Sequence, residues 1–126
     1  MKIHKIKFEE GAKPEPHELQ TASVLNKLGK EIKFLAPKNL DHIKTPDILM
    51  DHLKWEIKSP KSSGSRAMEQ ALRSATKQSP NVIIDLRRCK LKDERAISQI
   101  NATAYKRTAI KRLLVITKAG EVLDLK

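Results

Sequence analysis

Hydrophobic and polar positions follow two periods along the chain, and the switches between them mark out its elements. In HELQTASVLNKLG, residues 17–29, Leu19, Ala22, Leu25 and Leu28 recur at helical spacing after Pro14 and Pro16, with Gly29 as a stop, which predicts a first helix. EIKFLA (31–36) predicts a strand, followed by a loop through Pro37 and Asn39 to Thr45. TPDILMDHLKWEIKSP (45–60) predicts a β-hairpin. The Ser, Gly and Pro loop SPKSSGS (59–65) is expected to cap a helix that starts near Arg66 and buries Met68, Ala71, Leu72 and Ala75. Pro80 ends that helix. The continuous apolar run NVIIDL (81–86) reads as a central strand covered on both faces. Residues 93–108 predict a third helix with Ile97, Ile100 and Ala104 inward, and RLLVIT and EVLDL a closing hairpin about Ala119 and Gly120. The weak alternation of KIKF makes residues 1–13 an arm or edge strand. The expected fold class is α/β, a mixed β-sheet flanked by helices, in one domain spanning residues 1–126 with no internal repeat.

The first hairpin fixes its own register. A turn centred on Asp51 and His52 sets Met50 against Leu53 and Ile48 against Trp55, and puts Ile48, Met50, Leu53, Trp55 and Ile57 on one side. The same register sets Asp47 against Glu56. Opposed residues on an antiparallel pair have Cβ atoms about 4.5–5.5 Å apart, so two carboxylates there repel unless something offsets them.

Composition narrows the functional classes. The 26 Lys and Arg against 15 Asp and Glu give a net charge of +11, which favours polyanionic partners. Residues 87–112 hold nine basic side chains and only Asp93 and Glu94 as acids, so one face is expected to bind phosphate. Lys61, Arg66, Arg73, Arg87, Arg88 and Lys90 are the expected nucleic-acid contacts. Aromatic residues are only 3% of the chain, which argues against extensive base stacking. The single cysteine, Cys89, forms no internal disulfide, and His4, His17, His42 and His52 lack compact ligand spacing. No membrane span or signal peptide is visible. SPKSSGS lacks P-loop spacing, although its backbone N–H groups and Lys61 suit a phosphate at the next helix start.

A divalent cation is the simplest offset for the Asp47–Glu56 pair, because hard cations take one or two carboxylates and keep water for substrate. Lys58 lies two residues beyond Glu56 on the same strand face. Beside a metal and a phosphodiester, its ammonium orients or helps deprotonate the attacking water and stabilises the developing charge. The contrasting reading makes Glu56 and Lys58 the solvated face of an amphipathic strand in a non-catalytic, basic nucleic-acid-binding module.

Pro46 and Asp47 followed by Glu56, Ile57 and Lys58 resemble the PD-(D/E)xK nuclease motif. The order of helix, motif-bearing hairpin, helix and strand is similar to the restriction-endonuclease-like αβα core of that superfamily. More closely, HELQTASVLNKLGKEIKFLAP, TPDILMDHLKWEIKSP and QSPNVIIDL resemble the C-terminal tRNA nuclease domain of contact-dependent growth inhibition toxins, over residues 17–117. The resemblance implies a toxin-like nuclease with Asp47, Glu56 and Glu18 as metal ligands, Lys58 as catalytic lysine and Gln78 as a further polar active-site residue. It implies Mg²⁺ or Mn²⁺, with Zn²⁺ a third candidate, a tRNA or DNA substrate, and a cognate immunity protein as partner. The chain starts at its own Met1 without the large secreted filament to which such toxins are fused. The expectations are therefore cytoplasmic action, either after delivery within a larger toxin or as the DNA endonuclease of a mobile element.

Overall fold

The structure, a computed structural model, describes residues 4–38 and 45–126. Its elements in chain order are β1 (Lys7–Phe8), α1 (Pro16–Lys27), β2 (Ile32–Phe34), β3 (Ile48–Met50), β4 (Leu53–Lys58), α2 (Ala67–Thr76), β5 (Asn81–Asp85), α3 (Asp93–Lys106), β6 (Arg112–Ile116) and β7 (Val122–Asp124). The strands form one seven-stranded sheet in sequence order. Pairs β4–β5 and β5–β6 are parallel, bridged by α2 and α3, and β1 pairs parallel to β2. The β2–β3, β3–β4 and β6–β7 pairs are antiparallel. This is the mixed α/β architecture expected from the sequence.

Strand alternation divides the core into two layers. Val82, Ile84, Leu113 and Val115 meet Met68, Leu72 and Ala75 of α2 and Ala96, Ile100 and Ala104 of α3. On the other face Ile48, Met50, Trp55, Ile57, Ile83 and Ile116 meet Ala22 and Leu25 of α1. β5 thus sends Val82 and Ile84 one way and Ile83 the other, which is why its sequence is apolar throughout.

The β3–β4 hairpin has the expected register, with Ile48 opposite Trp55 and Met50 opposite Leu53. Asp51 and His52 have φ of 54° and 64°, the left-handed pair that a two-residue type I′ turn demands. Neither residue is glycine, so the turn is made against an intrinsic cost of about 1–2 kcal/mol per residue.

Two local expectations need correction. The apolar stripe of α1 is narrower than its spacing suggests: Leu19 is 37% exposed and Leu28 59%, while Thr21, Ala22 and Leu25 make the seam. Leu28 lies past the last helical residue, in a Schellman ending where the Gly29 N–H donates to the Asn26 carbonyl and the Lys30 N–H to the Leu25 carbonyl. The Ser-rich loop does not cap α2. The Met68 N–H instead donates to Gln99 Oε1 of α3 at 3.2 Å, and Gln99 Nε2 donates to the Gly64 carbonyl at 3.3 Å. Asn39 and His42 lie outside the described residues.

Candidate active site

Trp55 and Ile57 belong to the core under α1, so alternation turns Glu56 and Lys58 to the opposite face of β4. On the facing strand the ladder shifts at its first residue. The Asp47 N–H donates to the Trp55 carbonyl at 3.0 Å although Trp55 is already paired with Ile48, and the Asp47 carbonyl accepts the Leu35 N–H at 2.9 Å. Such a bulge re-aims a side chain. Asp47 Oδ2 accepts the Ile57 N–H at 2.8 Å, so the carboxylate is held from both its own strand and the next.

Glu56 is only 3% exposed. Its Oε2 lies 3.4 Å from Lys58 Nζ, while Oε1 is buried without a hydrogen-bond partner among the described residues. A buried carboxylate oxygen without a donor is costly, and an unmet ligand explains one better than packing does.

Glu18 enters from α1. Its Oε1 accepts the Glu15 N–H at 2.8 Å in a capping box, which fixes the side chain at the helix start. The three acids perturb one another. Burial and then the Glu56 charge push the Asp47 carboxyl up to about 6. Burial also raises Glu56, against the opposing pull of Asp47 hydrogen bonding and the Lys58 ammonium. Glu18 is raised by burial, with Asp47 adding to the effect and the Glu15 N–H opposing it. Two of these raised carboxyls, Glu18 and Asp47, line one cleft, a recognised mark of functional sites.

A cleft of about 300 Å³ opens beside these acids, lined by Glu18, Asp47 and Gln78 together with Lys13, Lys38 and Phe34. Gln78 therefore joins Glu18 and Asp47 across more than thirty residues of sequence. Among the described residues no three His, Cys, Asp or Glu are drawn together as a ready cation cage. The donor set is nonetheless suited to a hard divalent ion: oxygen ligands on Asp47 and Glu56, an orphaned Glu56 oxygen, and Glu18 at the edge.

The basic residues expected to contact nucleic acid divide into two groups. Arg66 and Arg73 are both engaged by Glu69, at 2.9 and 3.3 Å, and Arg87 is clamped on Asp85 through Nε and Nη2, the latter at 2.8 Å. Lys61 and Lys90 are exposed and Arg88 half-buried. The helix-start nook near Lys61 is filled by Gln99, which takes the Met68 N–H that a phosphate there would need.

Sequence reasoning missed the buried anchor behind Glu18. Asp85, 3% exposed, accepts the Thr21 hydroxyl at 2.6 Å and the Arg87 N–H at 3.1 Å, and its carboxyl is held below the usual range by the Arg87 and Thr21 hydrogen bonds despite burial. Thr21 is one helical turn from Glu18, so this contact ties the acid-bearing end of α1 to the central strand. An Asp ending a buried apolar run, with Arg two residues on, was the available signal. Lys13 and Lys38 carried no such signal.

The family described as "Contact-dependent growth inhibition CdiA C-terminal domain" matches residues 44–122. No curated protein sequence matches the chain. Among solved structures the chain is similar to one in the "CdiA-CT/CdiI toxin and immunity complex from Burkholderia pseudomallei", with a TM-score of 0.72 over 96% of this chain and 98% of that one. At 18% identity this likeness is one of fold. No helix among the described residues is long and apolar enough to cross a membrane.

Proposed function

This chain belongs to the contact-dependent growth inhibition CdiA C-terminal domain family, and from that premise we propose that it is a toxin domain acting as a metal-dependent nuclease. It hydrolyses phosphodiester bonds in nucleic acid, with tRNA as the first candidate substrate and DNA as the second. The observation that carries this reading is the buried Glu56 carboxylate, with one oxygen unpartnered and the other 3.4 Å from Lys58, beside an Asp47 that interacts with both Glu56 and Glu18. We read the grouping as a PD-(D/E)xK site.

Asp47 and Glu56 would hold the cation, with Glu18 as a further ligand. When bound, a Mg²⁺ or Mn²⁺ ion supplies a Lewis acid for the phosphoryl oxygen and acidifies water. The protein's own groups do the rest. Glu56 fixes the Lys58 ammonium 3.4 Å away, where it orients the attacking water and meets the negative charge that grows on the phosphoryl oxygens. Gln78 offers an amide to substrate from the cleft wall. The positive net charge concentrates a polyanionic substrate at the surface. The structural relative's toxin and immunity complex supports a cognate immunity protein as this chain's partner as well.

The test is incubation of the purified protein with total tRNA and with plasmid DNA in Mg²⁺, Mn²⁺, Zn²⁺ or EDTA. Cleavage of one substrate that EDTA abolishes is the expected result. Retardation of both without cleavage in any metal overturns the nuclease reading in favour of a basic binding module.

A further inference from the structure

We propose that the cleft beside Glu18 and Asp47 is a subsite for one unpaired nucleotide, with Lys13 and Lys38 holding its phosphate and the apolar wall holding its base. This rests on the nuclease reading and specifies the form of its substrate. At about 300 Å³ the cleft is at the small end of ligand pockets, roughly 300–1,000 Å³, which suits a single nucleotide.

Its lining is divided in the way a nucleotide is. Lys13 and Lys38 supply positive charge to the same lining as the Glu18 and Asp47 carboxylates. Pro14, Phe34, Leu35 and Pro37 supply apolar surface. A base in a duplex stacks on its neighbours and offers such a wall no face, whereas an unstacked base offers a whole π surface. The wall is rigid. The Leu35 N–H is tied to the Asp47 carbonyl, the Ala36 N–H donates to Glu9 Oε1 at 3.0 Å, and the Lys38 N–H donates to Thr45 Oγ1 at 2.9 Å. The Leu35 bond to the Asp47 carbonyl therefore links the position of the wall to that of Asp47.

A second observation points the same way. Phe8 of β1 stacks on Phe34 with ring centroids 5.5 Å apart and planes 15° apart, yet stays 51% exposed. A solvent-open aromatic ring stacked on Phe34, a residue of the cleft lining, in a chain with only two Phe, one Trp and one Tyr, offers a platform for an adjoining base.

The experiment titrates the full chain in Mg²⁺ with adenosine and cytidine 5′-monophosphates, which carry no phosphodiester bond to cleave. The matched nucleosides and inorganic phosphate are titrated in parallel by calorimetry. The mononucleotides are expected to bind at least about tenfold more tightly than either fragment. Lys13→Gln with Lys38→Gln should remove at least about tenfold of that affinity and raise KM for RNA with little change in kcat. Lys5→Gln with Lys7→Gln, which removes the same charge elsewhere, should leave mononucleotide binding unchanged. Phosphate binding as tightly as the mononucleotides, or equal losses in the two double variants, overturns the subsite and leaves only general attraction by a basic surface. Mononucleotide binding without cleavage of tRNA or DNA supports the subsite and sinks the nuclease reading. Cleavage with no mononucleotide binding sinks the subsite alone.

Discussion

The side chains of Asp47 and Glu56 interact at the open end of the β3–β4 hairpin, and burial together with the Glu56 charge pushes the Asp47 carboxyl up to about 6. Glu18 and Glu56 are displaced in the same direction. An acid whose folded pKa is raised contributes stability below its ordinary value, and that contribution is lost as pH rises through the folded value. For Asp47 the window runs from about 4 to about 6. Asp85 and Glu69 are lowered, so their contribution is lost in acid, below that window. Melting curves in EDTA should therefore show the parent losing stability between about pH 4 and pH 7. Asp47→Asn keeps an acceptor for the Ile57 N–H and removes the titration, so it should flatten the curve and melt higher than the parent near neutral pH. Equal pH profiles would show that Asp47 carries its charge there without strain.

Lys58 has two separable roles, and one substitution distinguishes them. Its ammonium is the only cation paired with Glu56 among the described residues, so Lys58→Met should lower the melting temperature of the metal-free protein by the equivalent of about 1–3 kcal/mol. Lys58→Arg keeps a cation for Glu56 and should melt near the parent. Both should cleave at least about 100-fold more slowly, a loss of about 2.7 kcal/mol of transition-state stabilisation. An arginine variant that cleaves like the parent would reduce Lys58 to a structural counter-ion.

Glu18 tests whether helix and hairpin act as one site. Glu18→Gln preserves the Oε1 acceptor for the Glu15 N–H and so the capping box, while removing a negative charge raised by burial and by Asp47. Weaker Mn²⁺ binding, slower cleavage and a metal-free protein at least as stable as the parent are expected. Because an ion that binds only folded protein stabilises it by mass action, the Mn²⁺-induced rise in melting temperature should shrink in the variant. An undiminished rise, with parent-like titration calorimetry, would return Glu18 to a capping role.

The parts of this arrangement that were legible in the sequence are those set by local period. Ile48, Met50, Leu53, Trp55 and Ile57 alternate about a two-residue turn, so the register of the hairpin followed directly, whereas the bulge that takes the Asp47 N–H to the Trp55 carbonyl instead of opposite Glu56 did not. β5 was legible because both its faces are covered. What escaped depends on contacts between distant residues. Leu19 and Leu28 match the helical period of Ala22 and Leu25, but the width of the seam between α1 and the sheet decides which of them are buried. Gln99 caps α2 from 31 residues away, and Thr21 meets Asp85 from 64 away, and neither pairing leaves a spacing to read.

Arg87 is the residue for which that distant contact changes an expectation. Its place in a basic run, beside Arg88 and Lys90, makes it look like one of three equivalent phosphate contacts. The structure commits its guanidinium to Asp85, a carboxylate 3% exposed that also anchors α1 through Thr21. Removing Arg87 strips a buried acid of its charged partner, and such losses are governed by the desolvated group left behind. Arg87→Ala should therefore lower the melting temperature most above the range where Asp85 titrates, since a lowered acid contributes its stability above its ordinary value. Arg88→Gln with Lys90→Gln should leave stability within about 0.5 kcal/mol, as surface substitutions do. If both contact phosphates, the slope of log affinity against log salt should fall by about 0.7–0.9 for each. Binding of tRNA to the three proteins over a salt series, beside their melting curves, separates the two roles. A flattened slope in Arg87→Ala at unchanged melting temperature would restore Arg87 as a phosphate contact and make the Asp85 clamp incidental.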